Sequence, residues 1–82
     1  MGEKKKNKLK IMRESKGLSQ AQLAEKSGIQ LRTLQYYEQD QLDFDHCKIE
    51  KILSVALVLE CNIEDILDDE KVIDMIKQYQ EA

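Results

Sequence analysis

One short segment, residues 19–37, constrains the fold most, because it predicts two helices joined by a turn of only a few residues. Ser19 and Gln22 have the Ser-x-x-Gln spacing of a capping box, in which each side chain accepts the backbone N–H of the other residue. The first helix is predicted over residues 20–27 and ends at Gly28, because glycine adopts a positive φ without steric cost. A second helix is predicted over residues 30–39. Helices this short are stable only when they bury a shared apolar face.

The apolar residues of this segment divide its second helix into two sides. Leu34 and Tyr37 have i, i+3 spacing and are predicted to face the core, together with Leu23 and Ile29. Ala24 supplies a small side chain where the two backbones approach each other. The opposite side of the second helix carries four larger side chains: Leu31, Arg32, Gln35 and Tyr36.

Helical signals continue over the rest of the chain. A first helix is predicted from Lys8 to just before Gly17, and a fourth over residues 46–59 with Asp45 as its N-cap. Asn62 caps a short fifth helix, and residues 71–80 form a last amphipathic segment. Periodicity predicts the inward faces of the fourth helix and of the last segment: Ile49, Ile52, Leu53, Ala56 and Leu57, then Val72, Ile73, Ile76 and Tyr79.

These elements predict an all-α chain with a single small domain. The expected fold is a compact bundle of five helices with an additional C-terminal amphipathic helix. We expect a flexible basic tail over residues 1–7, the bundle over residues 8–68, and a helix over residues 69–82 that closes the core or pairs with a second copy. Because 82 residues bury a limited core, a homodimer is a reasonable expectation.

The net charge of −3 is divided unevenly along the chain. Residues 1–41 contain nine Lys/Arg and five Asp/Glu, a net charge of +4, whereas residues 42–82 contain four and eleven, a net charge of −7. A polyanion would therefore contact the first half, and the acidic second half is expected to face away from it.

Several classes of function are disfavoured. Cys47, Cys61 and His46 lack the spacing of a tetrahedral metal site, and both cysteines are expected to be reduced and to pack as small hydrophobes. No nucleophile has a visible catalytic partner, so we expect neither enzyme activity nor a cofactor. No apolar run is long enough to cross a bilayer, and the start of the chain lacks the apolar region of a secretory signal, so a cytoplasmic protein is expected.

The order of these residues resembles the Xre/Cro family of helix-turn-helix proteins, which includes the lambdoid phage repressors. The resemblance covers roughly residues 9–67 and is carried by these elements: Arg13, Gly17-Leu18-Ser19-Gln20, Leu23-Ala24, Gly28-Ile29, Thr33-Leu34, Glu38 and Cys61-Asn62-Ile63-Glu64-Asp65-Ile66-Leu67. It implies a lambda-repressor-like bundle in which the second and third helices bind double-stranded DNA. It also implies a small transcriptional regulator, expected to be a repressor, that acts as a homodimer.

Matched position by position, the third helix resembles a recognition helix, whose N-terminal half enters the major groove. Within the base-reading set, Arg32 would pair with guanine, Gln35 with adenine, and Leu31 would touch a thymine methyl group. Tyr36 would either face the bases or stack on the loop around Leu42. The full base-reading set is Leu31, Arg32, Gln35 and Tyr36.

The resemblance also assigns residues outside the base-reading set. Gln20, Gln30 and Thr33 would contact phosphates, and the lysines of residues 4–10 would form either a phosphate-binding arm or a soluble tail. Arg13 and Glu38 occupy positions that form an internal ion pair in some relatives. For these two, a structural role is expected.

One region departs from the family's pattern. The position after the third helix often carries glycine, and the loop beyond it often carries basic residues that contact phosphate. Here residues 39–45 read Gln-Asp-Gln-Leu-Asp-Phe-Asp. Three acids near the DNA backbone would repel phosphate, so affinity per monomer is expected to be weak. Either this loop turns away from the DNA, or DNA binding is degenerate.

Two other functions are open at this point. Residues 30–38 also look like a MerR-type signature, although a complete helix precedes Ser19 and no Arg/Pro-rich wing follows Glu38. A protein-binding adaptor, such as an antitoxin, would dock a partner through the acidic half and the last amphipathic segment. Antitoxins of the Xre/Cro family often bind both DNA and toxin, so the two functions can coexist.

Overall fold

The computed structural model describes the backbone of residues 7–81 and the side chains of residues 7–80. Within this range lie α1 (Lys8–Ser15), α2 (Gln20–Ser27), α3 (Leu31–Glu38), α4 (Ile49–Leu59), a 3-10 turn (Ile63–Asp65) and α5 (Glu70–Glu81). Residues 7–81 contain no β-strand, and the all-α prediction is confirmed. None of these helices has the length and apolar character needed to cross a membrane.

The core lies where α2 packs against both α3 and α4, with α1 and the 3-10 turn closing it. Leu23 of α2 and Leu34 of α3 are completely buried. α5 adds Ile73, which is 5% exposed. The most deeply buried side chains are no more than 1% exposed: Leu9, Leu23, Leu34, Val55, Leu59, Ile66 and Leu67.

Asn7 anchors the start of the described chain. Its Oδ1 accepts the Lys10 N–H and so caps α1, while its Nδ2 donates to the Tyr37 carbonyl at 2.9 Å and to Asp40 Oδ1 at 3.0 Å. Of the predicted flexible tail of residues 1–7, the structure describes Asn7, which these hydrogen bonds hold in place. The remainder of that predicted tail lies outside the described residues.

α4 begins later than predicted, at Ile49 with Lys48 as its N-cap. The predicted N-cap, Asp45, instead accepts the backbone N–H groups of Asp68 and Asp69. Its carboxylate thereby joins the loop before α4 to the loop before α5. Because these partners lie 23 and 24 residues away, local spacing could not reveal them.

His46 lies at the same junction between the two loops. Its Nδ1 is 2.6 Å from Asp43 Oδ2, and its Nε2 is 3.7 Å from Asp69 Oδ2. The hydrogen bond to Asp43, together with the negative charges of Asp43, Asp69 and Asp45, raises the pKa of His46 above its usual 6.5. The ring is exposed, so solvent screens these interactions.

A pH-dependent contribution to stability follows from this raised pKa. The protonated ring stabilises the fold fully below about pH 6.5, and the contribution is lost as the pH rises through the folded-state pKa. We expect His46→Gln to melt slightly below the wild type at about pH 5.5 and to match it at about pH 8.5. Thermal denaturation followed by circular dichroism measures the melting temperatures of the two proteins at each pH. An equal difference at the two pH values would contradict the prediction.

The inward face of α4 was predicted only in part. Ile52 and Ala56 are buried as expected, but the rest of the buried face is formed by Val55 and Leu59. Three predicted core residues lie instead on the surface, with exposed fractions of 53% for Ile49, 43% for Leu53 and 78% for Leu57. In α5, Ile73 is buried and Val72 and Ile76 are half-buried, but Tyr79 is 83% exposed rather than inward.

The predicted fifth helix is a single 3-10 turn. The Asn62 carbonyl accepts the Asp65 N–H, and Asp65 Oδ2 accepts the Asn62 N–H, each at 3.0 Å. Cys61, immediately before this turn, and Cys47, before α4, are half-buried free thiols packed against the core. Burial raises the pKa of both thiols, which keeps them protonated at neutral pH.

Candidate nucleic-acid interface

The turn between α2 and α3 is fixed by hydrogen bonds at both ends of α2. Ser19 Oγ accepts the Gln22 N–H at 3.1 Å, and Gln22 Oε1 accepts the Ser19 N–H at 2.9 Å, as the capping box predicts. At the other end, Gly28 has φ +81° and donates its N–H to the Ala24 carbonyl at 3.0 Å. A residue with a Cβ is strained at this φ, so glycine sets the direction in which α3 leaves the turn.

α3 has one face in the core and one face in solvent. Leu34 is completely buried and Tyr37 is 5% exposed, and the Tyr37 ring makes an edge-to-face contact with Phe44 at 5.2 Å between centroids. Leu31 is 41% exposed, and Arg32 is also exposed. Two of the four predicted base-reading residues therefore lie on an open helix surface.

A buried ion pair fastens α3 to α1. Arg13 Nε donates to Glu38 Oε2 at 2.7 Å, and Arg13 Nη2 donates to Glu38 Oε1 at 3.0 Å. Arg13 Nη1 also donates to the Leu18 carbonyl at 2.6 Å, which ties the turn before α2 to the same guanidinium. The hydrogen bond to Glu38 raises the pKa of Arg13, and both side chains are almost fully buried.

Gln20 extends this network toward the outer side of α3. Its Nε2 donates to Glu38 Oε1 at 3.0 Å, and its Oε1 accepts a long hydrogen bond from Gln35 Nε2 at 3.5 Å. The side-chain amide of Gln20, predicted to contact phosphate, is thus engaged within the protein. Gln35 is half-buried and linked to the network rather than freely presented. The spacing of residues along the chain contains no signal for this contact.

The remaining predicted contact residues differ in how open they are. Gln30 is exposed, and its side chain makes no hydrogen bond to the start of α3, for which it is the N-cap. Thr33 and Tyr36 are half-buried. The Tyr36 carbonyl accepts the N–H groups of Gln41 and Leu42 at 2.9 and 3.3 Å, which closes the C-terminal end of α3.

The acidic loop after α3 turns away from the exposed face of that helix. Asp40, Asp43 and Asp45 line one cleft of about 490 Å³ that is also lined by Tyr37. Tyr37 lies about 140° around α3 from Arg32 at 100° per residue. The three carboxylates are also engaged, by the Asn7 amide, by His46 and by two backbone N–H groups respectively. The carboxylates of this loop therefore lie on a different side of α3 from Arg32.

Asp40 occupies the position after α3 where the family often has glycine. Its φ is +60°, a left-handed conformation that glycine adopts freely and that aspartate tolerates better than most residues. The backbone at this position therefore has a conformation that glycine adopts readily, here formed by an aspartate.

A family model for helix-turn-helix proteins matches residues 9–66 of the chain. The chain belongs to the Xre/Cro helix-turn-helix family. Members of this family are DNA-binding regulators of transcription, and this chain is a regulator of that class. The match includes α1, which precedes the capped start of α2, so the MerR-type interpretation is not supported. No curated protein and no solved structure matches the chain.

Proposed function

We propose that the chain is a sequence-specific repressor that binds double-stranded operator DNA as a homodimer through α3. The observation that carries the proposal is the division of α3 into two faces. Leu34, Tyr37 and Glu38 fasten one face to the core, and Arg32 stands exposed on the other. A short helix held rigidly on one side, with a guanidinium on its open N-terminal half, is suited to insertion into the major groove.

Arg32 is the principal base-reading residue in this proposal. Its planar guanidinium can donate two parallel hydrogen bonds to O6 and N7 of guanine. Leu31, exposed beside it, can contact a thymine methyl group. Gln35 can reach adenine only by exchanging its long hydrogen bond to Gln20 for one to the base. Tyr36 is half-buried and would contribute at the edge of the contact.

Phosphate contacts in this proposal come mainly from backbone N–H groups. The start of α3 has no side-chain cap, so its first N–H groups are open to a phosphate oxygen, and Gln30 lies beside them. Thr33 would support this contact. At the start of α2, Gln20 would contribute its N–H group, since its side-chain amide is engaged by Glu38.

A homodimer is proposed because one monomer offers few contacts. The exposed cation on α3 is Arg32, and residues 1–41 carry a net charge of only +4. Two copies related by a two-fold axis would read two half-sites, so the discrimination factor of the dimer would be roughly the product of the factors of its two monomers.

Fluorescence anisotropy against a mixed pool of labelled duplexes at two salt concentrations tests DNA binding. Counterion release makes the association constant fall with salt, and for about four phosphate contacts a fourfold rise in salt weakens binding about 100-fold. Lys77→Gln, on α5, should leave the slope unchanged, because this exposed lysine lies outside the proposed contact. Failure of the folded protein to bind at low salt, or binding without a salt slope, would overturn the proposal. If the protein binds with the expected salt slope, selection from random duplexes would give the operator.

A protein-binding adaptor, such as an antitoxin, is the second candidate. The observation that favours it is the outer side of α5, where Met75 is 68% and Tyr79 is 83% exposed beside the acidic residues of the second half. The two functions are separable, because α3 and α5 use different surfaces. Loss of partner binding in Tyr79→Ala with intact DNA binding would assign α5 to such a partner.

A further inference from the structure

α4 carries an apolar stripe on its solvent side. Ile49, Leu53 and Leu57 follow each other at i, i+4 spacing, so they form one row about 12 Å long. All three are more than 40% exposed, and Leu57 reaches 78%. Single exposed apolar residues are common, but a continuous row of them on one helix is typical of an interaction surface.

An open cleft extends this stripe on one side. Its volume is about 700 Å³, and its walls include Leu53 and Leu57 together with Met12, Ala56 and Cys61. The other half of its lining is polar and includes Lys16 and Glu60, so the cleft borders the stripe with mixed chemistry and the apolar row itself is the three residues on α4. The opposite side of α4 is fixed in the core by Ile52, Val55, Ala56 and Leu59. The stripe consequently stands on one of the best-anchored elements of the domain.

The charges at the two ends of α4 oppose the dipole of their own helix. Lys48 is the N-cap, where the partial positive charge of the helix repels a cation, and Glu60 is the C-cap, where the partial negative charge repels an anion. Both are exposed. An antiparallel helix alongside would offset both interactions. Lys48 would then lie near the negative C-terminal end of the neighbouring helix, and Glu60 near its positive N-terminal end.

We propose that α4 pairs antiparallel with α4 of a second copy of this chain, about a two-fold axis that passes at Leu53. The arrangement is self-complementary. Ile49 packs against the partner's Leu57 and Leu53 against the partner's Leu53. Lys48 lies about 3 Å along the helix axis from the level of the partner's Glu60, a distance that its long side chain can span. This inference rests on the homodimer of the proposed function and specifies its interface.

The interface leaves the DNA-reading surface free. None of the stripe residues belongs to α2 or α3, and Arg32 lies on a different helix from all of them. Since α4 shares the core with α2, the pairing fixes the two copies of α3 relative to each other through packed side chains. A two-fold protein dimer requires an operator with matching two-fold symmetry.

The exposed residues of α5 are the competing surface for a second copy. Met75 and Tyr79 are apolar and open, but α5 rests on the core mainly through Ile73, with Val72 and Ile76 half-buried. Glu70 in its first turn already suits the dipole of α5. Glu50 has the same effect in the first turn of α4, but the α4 caps Lys48 and Glu60 still oppose the dipole of their helix, and an antiparallel neighbour would relieve both.

Leu53→Glu tests the axis, because it places two carboxylates against each other at the centre of the pair. In sedimentation equilibrium we expect the dimer dissociation constant to rise roughly 30-fold or more, as for loss of a central interface residue. Tyr79→Glu is the matched control and should leave the constant unchanged. A monomeric wild type at all concentrations, or dissociation by Tyr79→Glu but not by Leu53→Glu, would overturn the proposal.

Charge reversal tests the antiparallel direction. Lys48→Glu and Glu60→Lys each suit their own helix dipole, so neither is expected to destabilise the monomer. Each variant alone should dimerise more weakly than the wild type, because like charges then meet at both ends. An equimolar mixture should form the heterodimer, and the double variant should recover the homodimer. Failure of the double variant to recover would exclude the antiparallel arrangement.

Binding to a single half-site separates this inference from the proposed function. Leu53→Glu keeps α3 intact, so the monomer should bind a half-site duplex with the wild-type salt slope per monomer while losing the tight binding of a palindromic duplex. A dimer that binds no DNA would refute the proposed function alone. DNA binding by a dimer that resists Leu53→Glu would refute the interface alone.

Discussion

Glu38→Ala is expected to lower the free energy of unfolding by about 3–5 kcal/mol, the usual cost of removing one partner from a buried ion pair. The variant leaves the Arg13 guanidinium buried without the carboxylate that accepts two of its hydrogen bonds. It also removes the acceptor of the Gln20 amide. Since small domains are stable by only about 5–15 kcal/mol, this is a large share of the total. Urea denaturation followed by circular dichroism measures the loss.

Glu14→Ala provides the matched control for this prediction. Glu14 lies 3.9 Å from the same guanidinium but is exposed, so its removal should cost less than about 1 kcal/mol. If Glu38→Ala fails to fold, Glu38→Gln still offers an acceptor and should retain measurable stability. Replacement of both partners by apolar residues, Arg13→Met with Glu38→Leu, should recover much of the loss. An equal loss of unfolding free energy in Glu14→Ala and Glu38→Ala would show that the buried pair stabilises the fold no more than the exposed one.

Arg32→Ala is expected to reduce discrimination between operator and unrelated DNA about 10- to 100-fold, the range for loss of one good bidentate base contact. Because the side chain is exposed, the melting temperature should stay close to the wild-type value. The measurement is a pair of anisotropy titrations, one with the selected operator and one with a scrambled duplex, at a single salt concentration.

Two variants separate base reading from charge in this experiment. Lys26→Ala removes the charge of an exposed lysine on α2 that reads no base in this proposal, so any loss of affinity should be equal for the two duplexes. Arg32→Lys keeps the charge but loses the two-pronged donor, so it should retain general affinity while discrimination falls. A drop in melting temperature with Arg32→Ala would place the residue in the core. Equal weakening of both duplexes would make it a phosphate contact.

The helix-turn-helix unit could be predicted closely because its signals are local. Ser19, Gln22 and Gly28 act within four residues of themselves, and α2 has the bounds that these residues predict. The inward positions Leu34 and Tyr37 were predicted from spacing alone and are buried. Where the structure of a helix depends on its own caps and on one clear apolar face, the sequence is sufficient.

α4 shows where sequence reasoning fails. Eight of its eleven residues are apolar, so several faces satisfy the 3.6-residue period equally well. The period predicts burial of Leu53 and Leu57, whereas the fold buries Val55 and Leu59 instead. The predicted start of α4 at residue 46 is also wrong, because it depends on a contact outside the helix. Asp45 has the chemistry of an N-cap, but its hydrogen-bond partners lie in a distant loop.

The interface shows the same division between local and distant information. Exposure of Leu31 and Arg32 follows from the helical period. The hydrogen bonds that join Glu38, Gln20 and Gln35 connect three positions on two helices, at separations of 18 and 15 residues. No periodicity encodes them, because each depends on how the helices cross.

In the proposed binding mode, that chain of hydrogen bonds determines which positions of α3 can be varied to change the operator that the protein recognises. A library at Leu31 and Arg32 changes side chains that have no role in the core, so most members should remain folded. Position 35 is different, because its amide is joined through Gln20 to the carboxylate that neutralises Arg13. A library that varies Gln35 therefore needs to vary Gln20 with it, and the buried Glu38 must stay fixed in every member.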